Sequence, residues 1–150
     1  MSRLLQMFTP SDPFTNRDIQ RIEQYIDSQI DPFYKALELF PAKILVGSSG
    51  SFDTYRTMIV ESKNGETTQD THYWIDINDY NNLHEKLISL PQKELVHIPG
   101  MDHHRVDMIS LSSIFVNFLL RKTSINKIVQ SSYSLKEGVI FSMVHNEKIQ

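Results

Sequence analysis

Gly47-Ser48-Ser49-Gly50-Ser51 is the stretch whose residue types best suit chemistry. Glycines let backbone N–H groups approach an anion, hydroxyls add small donors, and a helix starting behind such a turn contributes positive potential. No lysine follows, so this is not a P-loop. Two readings stand: a turn that contacts a phosphoanion, and a plain strand-to-helix turn whose hydroxyls cap the next helix. Arg105 has a similar pair of readings, since an arginine where a loop meets a sheet either binds phosphate or ties down a carboxylate. Asp107, two residues on, does not face it on a helix. Glu137, beside Gly138, shares that ambiguity, and a lone glutamate does not identify a general base. His97, Asp102, His103, His104 and Asp107 invite a metal reading. Adjacent histidines on a helix diverge by about 100°, however, and the His-Glu-x-x-His spacing is absent, so an exposed helix start accounts for them better. There is no cysteine, and the serines form no Gly-x-Ser-x-Gly elbow. No self-contained nucleophile or base emerges.

The elements that must position these groups follow from patterning. Arg3 to Phe8, short and mostly apolar, is expected as a strand, whose edge would favour homodimerisation or pairing with another polypeptide. Thr15 is an N-cap with Asp18 at the third helical position, and Ile19, Ile22, Ile26, Ile30 and Phe33 continue at helical steps toward Leu39. Pro32 should bend or divide that helix, and Pro41 ends it. Lys43 to Val46 is expected as a strand leading through the Gly-Ser turn into a helix over Asp53 to Val60. The polar stretch Glu61 to Thr71, with Asn64-Gly65 inside it, reads as a loop or short hairpin. Asn78 is expected to cap a helix carrying Leu83, Leu87 and Leu90, and Pro91 to begin the next element. Pro99-Gly100 introduces a long helix, Asp102 to Arg121, polar at its start and apolar in its body. A strand over Ile125 to Val129 and a terminal helix over Leu135 to Phe141 complete an α/β pattern of several parallel βα units. Phe33, Tyr34, Phe40, Phe115, Phe118 and Phe141 sit among aliphatic residues, as core positions do.

The whole chain narrows the classes. With 150 residues, 40% hydrophobic and 22% charged, one globular core is the expectation. The net charge of -3 is spread along the chain, which disfavours a nucleic-acid surface but leaves a phosphate site built from backbone donors open. Leu111 to Leu120, the most apolar stretch, is interrupted by Ser112, Ser113 and Asn117, so no membrane span is expected. The lack of cysteine and of a secretory leader points to the cytoplasm.

Three ordered segments carry a family resemblance. Ile44-Leu45-Val46-Gly47-Ser48-Ser49-Gly50-Ser51 is similar to the strand and Thr-Ser-Gly-Thr-type turn of the exopolyphosphatase and guanosine pentaphosphate phosphohydrolase family. Ile98-Pro99-Gly100-Met101 with Arg105-Val106-Asp107-Met108-Ile109 resembles its Pro-Gly and Arg-x-Asp motif, and Ser131 to Ile140 resembles its Ser-x-x-x-Leu-Arg-Glu-Gly segment. The resemblance implies a truncated actin-like, ribonuclease-H-related second domain forming one wall of an interdomain phosphate cleft. It implies a parent acting on polyphosphate or guanosine pentaphosphate, with magnesium, and with a water-activating glutamate on an amino-terminal domain that is the expected partner. The family's Asp-x-Gly-Gly-Gly-Ser hairpin is also lacking, so Arg3 to Phe8 is placed just after it, and the chain alone is expected to be inactive. Ser48, Ser49 and Gly50 would form a phosphate-facing turn, with Gly47 and Ser51 flanking it and Arg105 and Glu137 bordering the cleft. Three departures stand out: Ser51 in place of threonine, Lys136 in place of arginine, and Ser112-Ser113 in place of a glycine-alanine pair.

Overall fold

A computed structural model of the chain describes residues 1–48, 50–66 and 70–145. In chain order the elements are α1 (Ser2–Phe8), α2 (Asn16–Gln29), α3 (Asp31–Leu39), β1 (Ile44–Ser48), α4 (Ser51–Ser62), β2 (His72–Ile75), α5 (Ile77–Ser89) and α6 (Gln92–Leu95). A 3-10 turn (His103–Arg105), α7 (Val106–Lys122), β3 (Lys127–Ser131) and α8 (Leu135–Val144) follow. The fold is mixed α/β, with a three-stranded sheet in the order β1-β3-β2. β1 runs parallel to β3, with Gly47 beside Gln130 and Ser48 beside Ser131, whereas β2 is antiparallel to β3. The expected row of parallel units is thus reduced to one pair and a reversed edge strand.

The local signals explain most of these elements. Thr15 and Asp18 form a reciprocal capping box at the start of α2, and Pro32 falls in the first turn of α3, where its missing N–H costs nothing. The division expected at Pro32 therefore occurs two residues earlier, at Ile30. The cap of α5 is Asp76, not Asn78: its Oδ1 accepts from the backbone N–H groups of Asn78 and Asp79 at 2.8 and 3.3 Å. β3 begins two residues later than expected, after Thr123 Oγ1 accepts from Ile125 N–H and the buried Ile125 anchors the approach.

Arg3 to Phe8 is a helix rather than a strand. Leu4, Leu5 and Phe8 lie on one helical face and pack against α2 and α7 in a cluster with Ile22, Ile26, Leu111, Ile114 and Phe118. The six-residue stretch was too short for helix and strand periods to separate, and no strand edge arises there for a partner to pair with. β2 was missed for the opposite reason. His72 to Ile75 alternates exposed and covered positions, but it follows a polar loop, part of which (67–69) lies outside the described residues.

One sheet face carries Leu45, Tyr73, Ile75 and Ile128 against Tyr55, Met58, Ile59, Tyr80, Leu83, Leu87 and Ile109 from the helices. α7 passes through the middle, with Ile109 to Ile114 all buried, and three serines in that run need partners. Ser110 Oγ donates to the carbonyl of Leu87 at 2.5 Å, and Ser113 Oγ donates to that of Ser110 at 2.8 Å. Because the only Ser113 hydroxyl proton is used there, the contact of 3.0 Å between His84 Nδ1 and Ser113 Oγ places the imidazole proton on Nδ1. Tyr80 donates to the Ser113 carbonyl at 3.0 Å and stacks on His84. The α5–α7 seam is therefore a closed polar network inside an apolar core.

Burial, with Arg121 nearby, holds His84 below the ordinary 6.5, at about 4. The unfolded chain takes up the proton first, so the stability from a neutral His84 is complete above pH 6.5 and is lost as pH falls toward 4. Urea denaturation should show a loss on the order of 2 kcal/mol between pH 7 and 4.5, after allowance for solvent reaching part of the ring. In His84→Gln the slope over that window should flatten; an unchanged slope assigns the acid sensitivity to other groups.

Candidate functional site

β1 and β3, being parallel and adjacent, end side by side, and the turns leaving them start from the paired residues Ser48 and Ser131. Ligands of parallel sheets sit at such carboxyl ends. After β1 the chain enters α4 through Gly50, whose φ of 61° and ψ of -117° place it in a region that side chains disfavour. The guanidinium of Arg105 lies directly over this glycine: a Cβ built there would stand 2.9 Å from Nη1 and 3.2 Å from Cζ. The two residues share a cleft of about 410 Å³ with Asp53, Thr54, Thr57, Gly100, Met101 and Asp102. The first N–H groups of α4 have no acceptors within the helix, and together with Arg105 they make this the positive end of the turn.

The other residues singled out in the sequence fall in different places. Gly47 is buried in β1 with the Phe52 ring packed where a Cβ would be, 2.1 Å from the nearest ring atoms, so its close approach is to an aromatic side chain. Ser48 is exposed at the strand end, and Ser49 lies outside the described residues. Ser51 turns inward and its Oγ donates to Ser112 Oγ at 2.9 Å. Ser112 thus ties α7 to the first residue of α4. The Tyr55 hydroxyl, wholly buried, lies beside both serines, and burial raises its pKa. Glu137 is not among the residues lining the cleft. Its Oε2 accepts from Ser134 N–H at 2.7 Å and from Ser134 Oγ at 2.6 Å, a capping box at the start of α8. Lys136 reaches its other oxygen at 3.3 Å. His103 and His104 are exposed on the 3-10 turn, and the described residues contain no group of three or more His, Cys, Asp or Glu that could hold a metal ion.

Two residues of the site had been passed over as functional. Asp53, in the first turn of α4, lines the cleft while its Oδ1 accepts from Gln130 Nε2 at 2.8 Å. Gln130 is fully buried in β3, and its Oε1 accepts from Arg56 Nη1 at 3.1 Å, so the start of α4 is bound to the sheet interior. Gln130 lies just past the strand expected over Ile125 to Val129 and falls inside β3, where its buried amide needs partners. Asp102 is the second. Its Oδ2 lies 3.3 Å from Arg105 Nε, and its Oδ1 accepts from His104 N–H at 3.0 Å.

A mixed α/β chain with a positive turn at the ends of two parallel strands is of a class that handles anionic ligands. The match to the Ppx/GppA phosphatase family covers residues 1–147, and the chain belongs to that family. An exopolyphosphatase from Cytophaga hutchinsonii is 31% identical and superposes with a TM-score of 0.92 over 98% of this chain and 48% of its own. A Ppx/GppA family member from Aquifex aeolicus, 18% identical, superposes with a TM-score of 0.77 over 99% of this chain and 47% of its own. The chain spans about half the length of these relatives. No protein of curated function matches it in sequence.

The capping hydrogen bonds from Ser134 hold Glu137 well below the ordinary 4.5, at about 2. The box therefore stabilises α8 fully above pH 4.5 and is lost as pH falls toward 2. Carboxyl carbon NMR should find Glu137 titrating near 2 in the wild type and returning toward the ordinary range in Ser134→Ala. A wild-type midpoint near 4.5 would mean that the box does not form.

Proposed function

We propose that this chain supplies one wall of the phosphoanion cleft of an exopolyphosphatase or guanosine pentaphosphate phosphohydrolase, as part of an actin-like second domain. The carrying observation is the Arg105 guanidinium stacked over Gly50 at the amino end of α4. Phosphoryl transfer to water asks the protein mainly to position the phosphate and to stabilise charge on its oxygens. The backbone donors of α4 and the Arg105 fork provide that on this side.

Water activation is not provided here. Among the described cleft residues the carboxylates are Asp53 and Asp102, and each has one oxygen committed to a hydrogen bond that fixes it within its own wall. A base on an amino-terminal domain facing this wall completes the reaction in this reading, so the chain alone binds without hydrolysing. The donor set does not suit magnesium as a resident: two tethered carboxylates fall short of a protein-held site, although they tolerate a cation that arrives bound to phosphate. The described helices include none long and apolar enough to cross a membrane. A cytoplasmic setting accords with these substrates.

One observation favours an interaction role beside the phosphate role. α8 exposes Leu135, Ile140, Phe141, Met143 and Val144, at 82, 61, 55, 73 and 72%, and buries none of its residues. A helix so apolar calls for cover. The amino-terminal half of the parent is the proposed cover, with a second copy of the chain as the alternative.

The test uses tripolyphosphate with magnesium. Amide shifts in the isolated chain should concentrate at Gly50, Ser51 and Arg105, with no release of phosphate. In the full-length parent, Gly50→Val should lower turnover of both polyphosphate and guanosine pentaphosphate at least about tenfold, because valine at this backbone conformation is strained and displaces Arg105. Parental turnover in a well-folded Gly50→Val would make the turn structural and the cleft assignment wrong.

A further inference from the structure

Arginine presents five N–H donors in a planar fork, and which edge faces a ligand depends on what holds the others. In this chain the Nε side of Arg105 lies 3.3 Å from Asp102 Oδ2, while Nη1 and Nη2 lie over Gly50, 2.9 and 3.4 Å from where its Cβ would be. Asp102 is itself immobilised, because its other oxygen accepts from His104 N–H at 3.0 Å as the cap of the 3-10 turn. We propose that Asp102 is the positioning residue of the cleft: it grips Arg105 by Nε and so aims the Nη1–Nη2 edge at a phosphate oxygen bound at the Gly50 turn. This rests on the phosphoanion reading above and adds a residue that the family motifs did not single out.

The competing account is an ordinary ion pair between neighbours on a surface turn, which contributes little and aims nothing. Three features of the geometry favour positioning. The pair lines the same cleft as the Gly50 turn. Asp107, two residues on, does not face Arg105 on a helix, and among the described residues the ion pair of Arg105 is with Asp102. Finally, the contact with Asp102 is at Nε, while Nη1 and Nη2 lie over the Gly50 turn, whereas a pair serving stability alone gains most from engaging the bidentate edge itself.

The same arrangement sets a charge condition. The cleft contains one cationic side chain, Arg105, against Asp53 and Asp102. Around the positive turn a free polyanion meets lining side chains of net negative formal charge, so phosphate carried with a divalent cation should bind better than phosphate alone. The aspartate therefore aims the arginine at the expense of bare-anion affinity, and its removal separates these effects.

The experiment is a double-mutant cycle in the 150-residue chain, with tripolyphosphate as the probe, with and without magnesium, and circular dichroism confirming each fold. With magnesium, Asp102→Ala should weaken binding about tenfold in the wild type, the size of one misaligned charge-assisted contact. In an Arg105→Lys background, where there is no Nε to grip, the same change should have less than about a twofold effect. Asp102→Asn, which keeps an acceptor for Nε, should recover most of the loss. Equal losses in both backgrounds, or no loss in either, overturn positioning by Asp102. A ligand-free readout separates this from failure of the cleft reading. The Arg105 Nε–H NMR signal should be sharp and slow to exchange in the wild type and lose that protection in Asp102→Ala. If tripolyphosphate fails to bind any variant, the phosphoanion reading falls, and the aiming role falls with it. A protected Nε–H would then show the grip to be structural only, and an unprotected one would show that there is no grip.

Discussion

The arrangement of this half-length chain turns on one close approach, that of the Arg105 guanidinium to the backbone of Gly50. Any side chain at position 50 would occupy the space of the arginine, and its backbone conformation is one that glycine alone adopts without strain. Arg105 stands immediately before α7, so this approach fixes where that central helix begins relative to the sheet. Seven residues further along the same helix, two turns on and hence on a similar face, Ser112 meets Ser51. α7 thus grips the start of α4 at two points, from above through Arg105 and from behind through Ser112. The third hold comes from the sheet, where buried Gln130 binds Asp53 and Arg56.

Such holding is what distinguishes an anion turn able to stabilise developing charge from one that merely tolerates an anion. A donor that must reorient during reaction contributes less than one already aimed, because the reorientation cost is met at the transition state. The Gly50 turn is braced by elements from three parts of the chain, and each brace is a specific hydrogen bond or packing contact rather than general burial. The hydroxyl of Ser112 supplies one of these contacts.

How much of this was legible in advance depended on the range of the interaction. Local rules sufficed for the Thr15–Asp18 box, the break at Pro32, the Gly-Ser turn after an apolar strand, and α7 as a helix polar at one end and buried beyond it. They failed for Arg3 to Phe8, where Leu4, Leu5 and Phe8 suit either period and only packing on α2 and α7 decides for helix. They failed also for β2, whose pairing with β3 is long-range. At the site, Gly50 and Arg105 were singled out separately, but that they meet depends on tertiary structure. For Glu137 a local signal is legible. Its place in a Ser-x-x-Glu pattern before an apolar run was a local capping signal, and the structure uses it as a cap.

In the proposed cleft, bracing of this wall and activation of water fall to different groups. On the proposed reading, the cleft carboxylates among the described residues bind Arg105 or the sheet, which leaves donors for phosphate and puts the base for water elsewhere. Electrostatic stabilisation and nucleophile activation make opposite demands on a site: the first wants donors fixed and pointed at the phosphate, the second wants an acceptor unencumbered and facing across it. Placing them on separate walls lets each be optimised, at the cost of requiring the walls to meet. The exposed apolar residues of α8 are consistent with that requirement, since such a surface is stabilised when something covers it. On the proposed reading, closure of the two walls does two things at once: it buries α8 and it brings the missing base opposite Arg105. The hydrophobic gain at a distance from the chemistry would then favour assembly of the catalytic site.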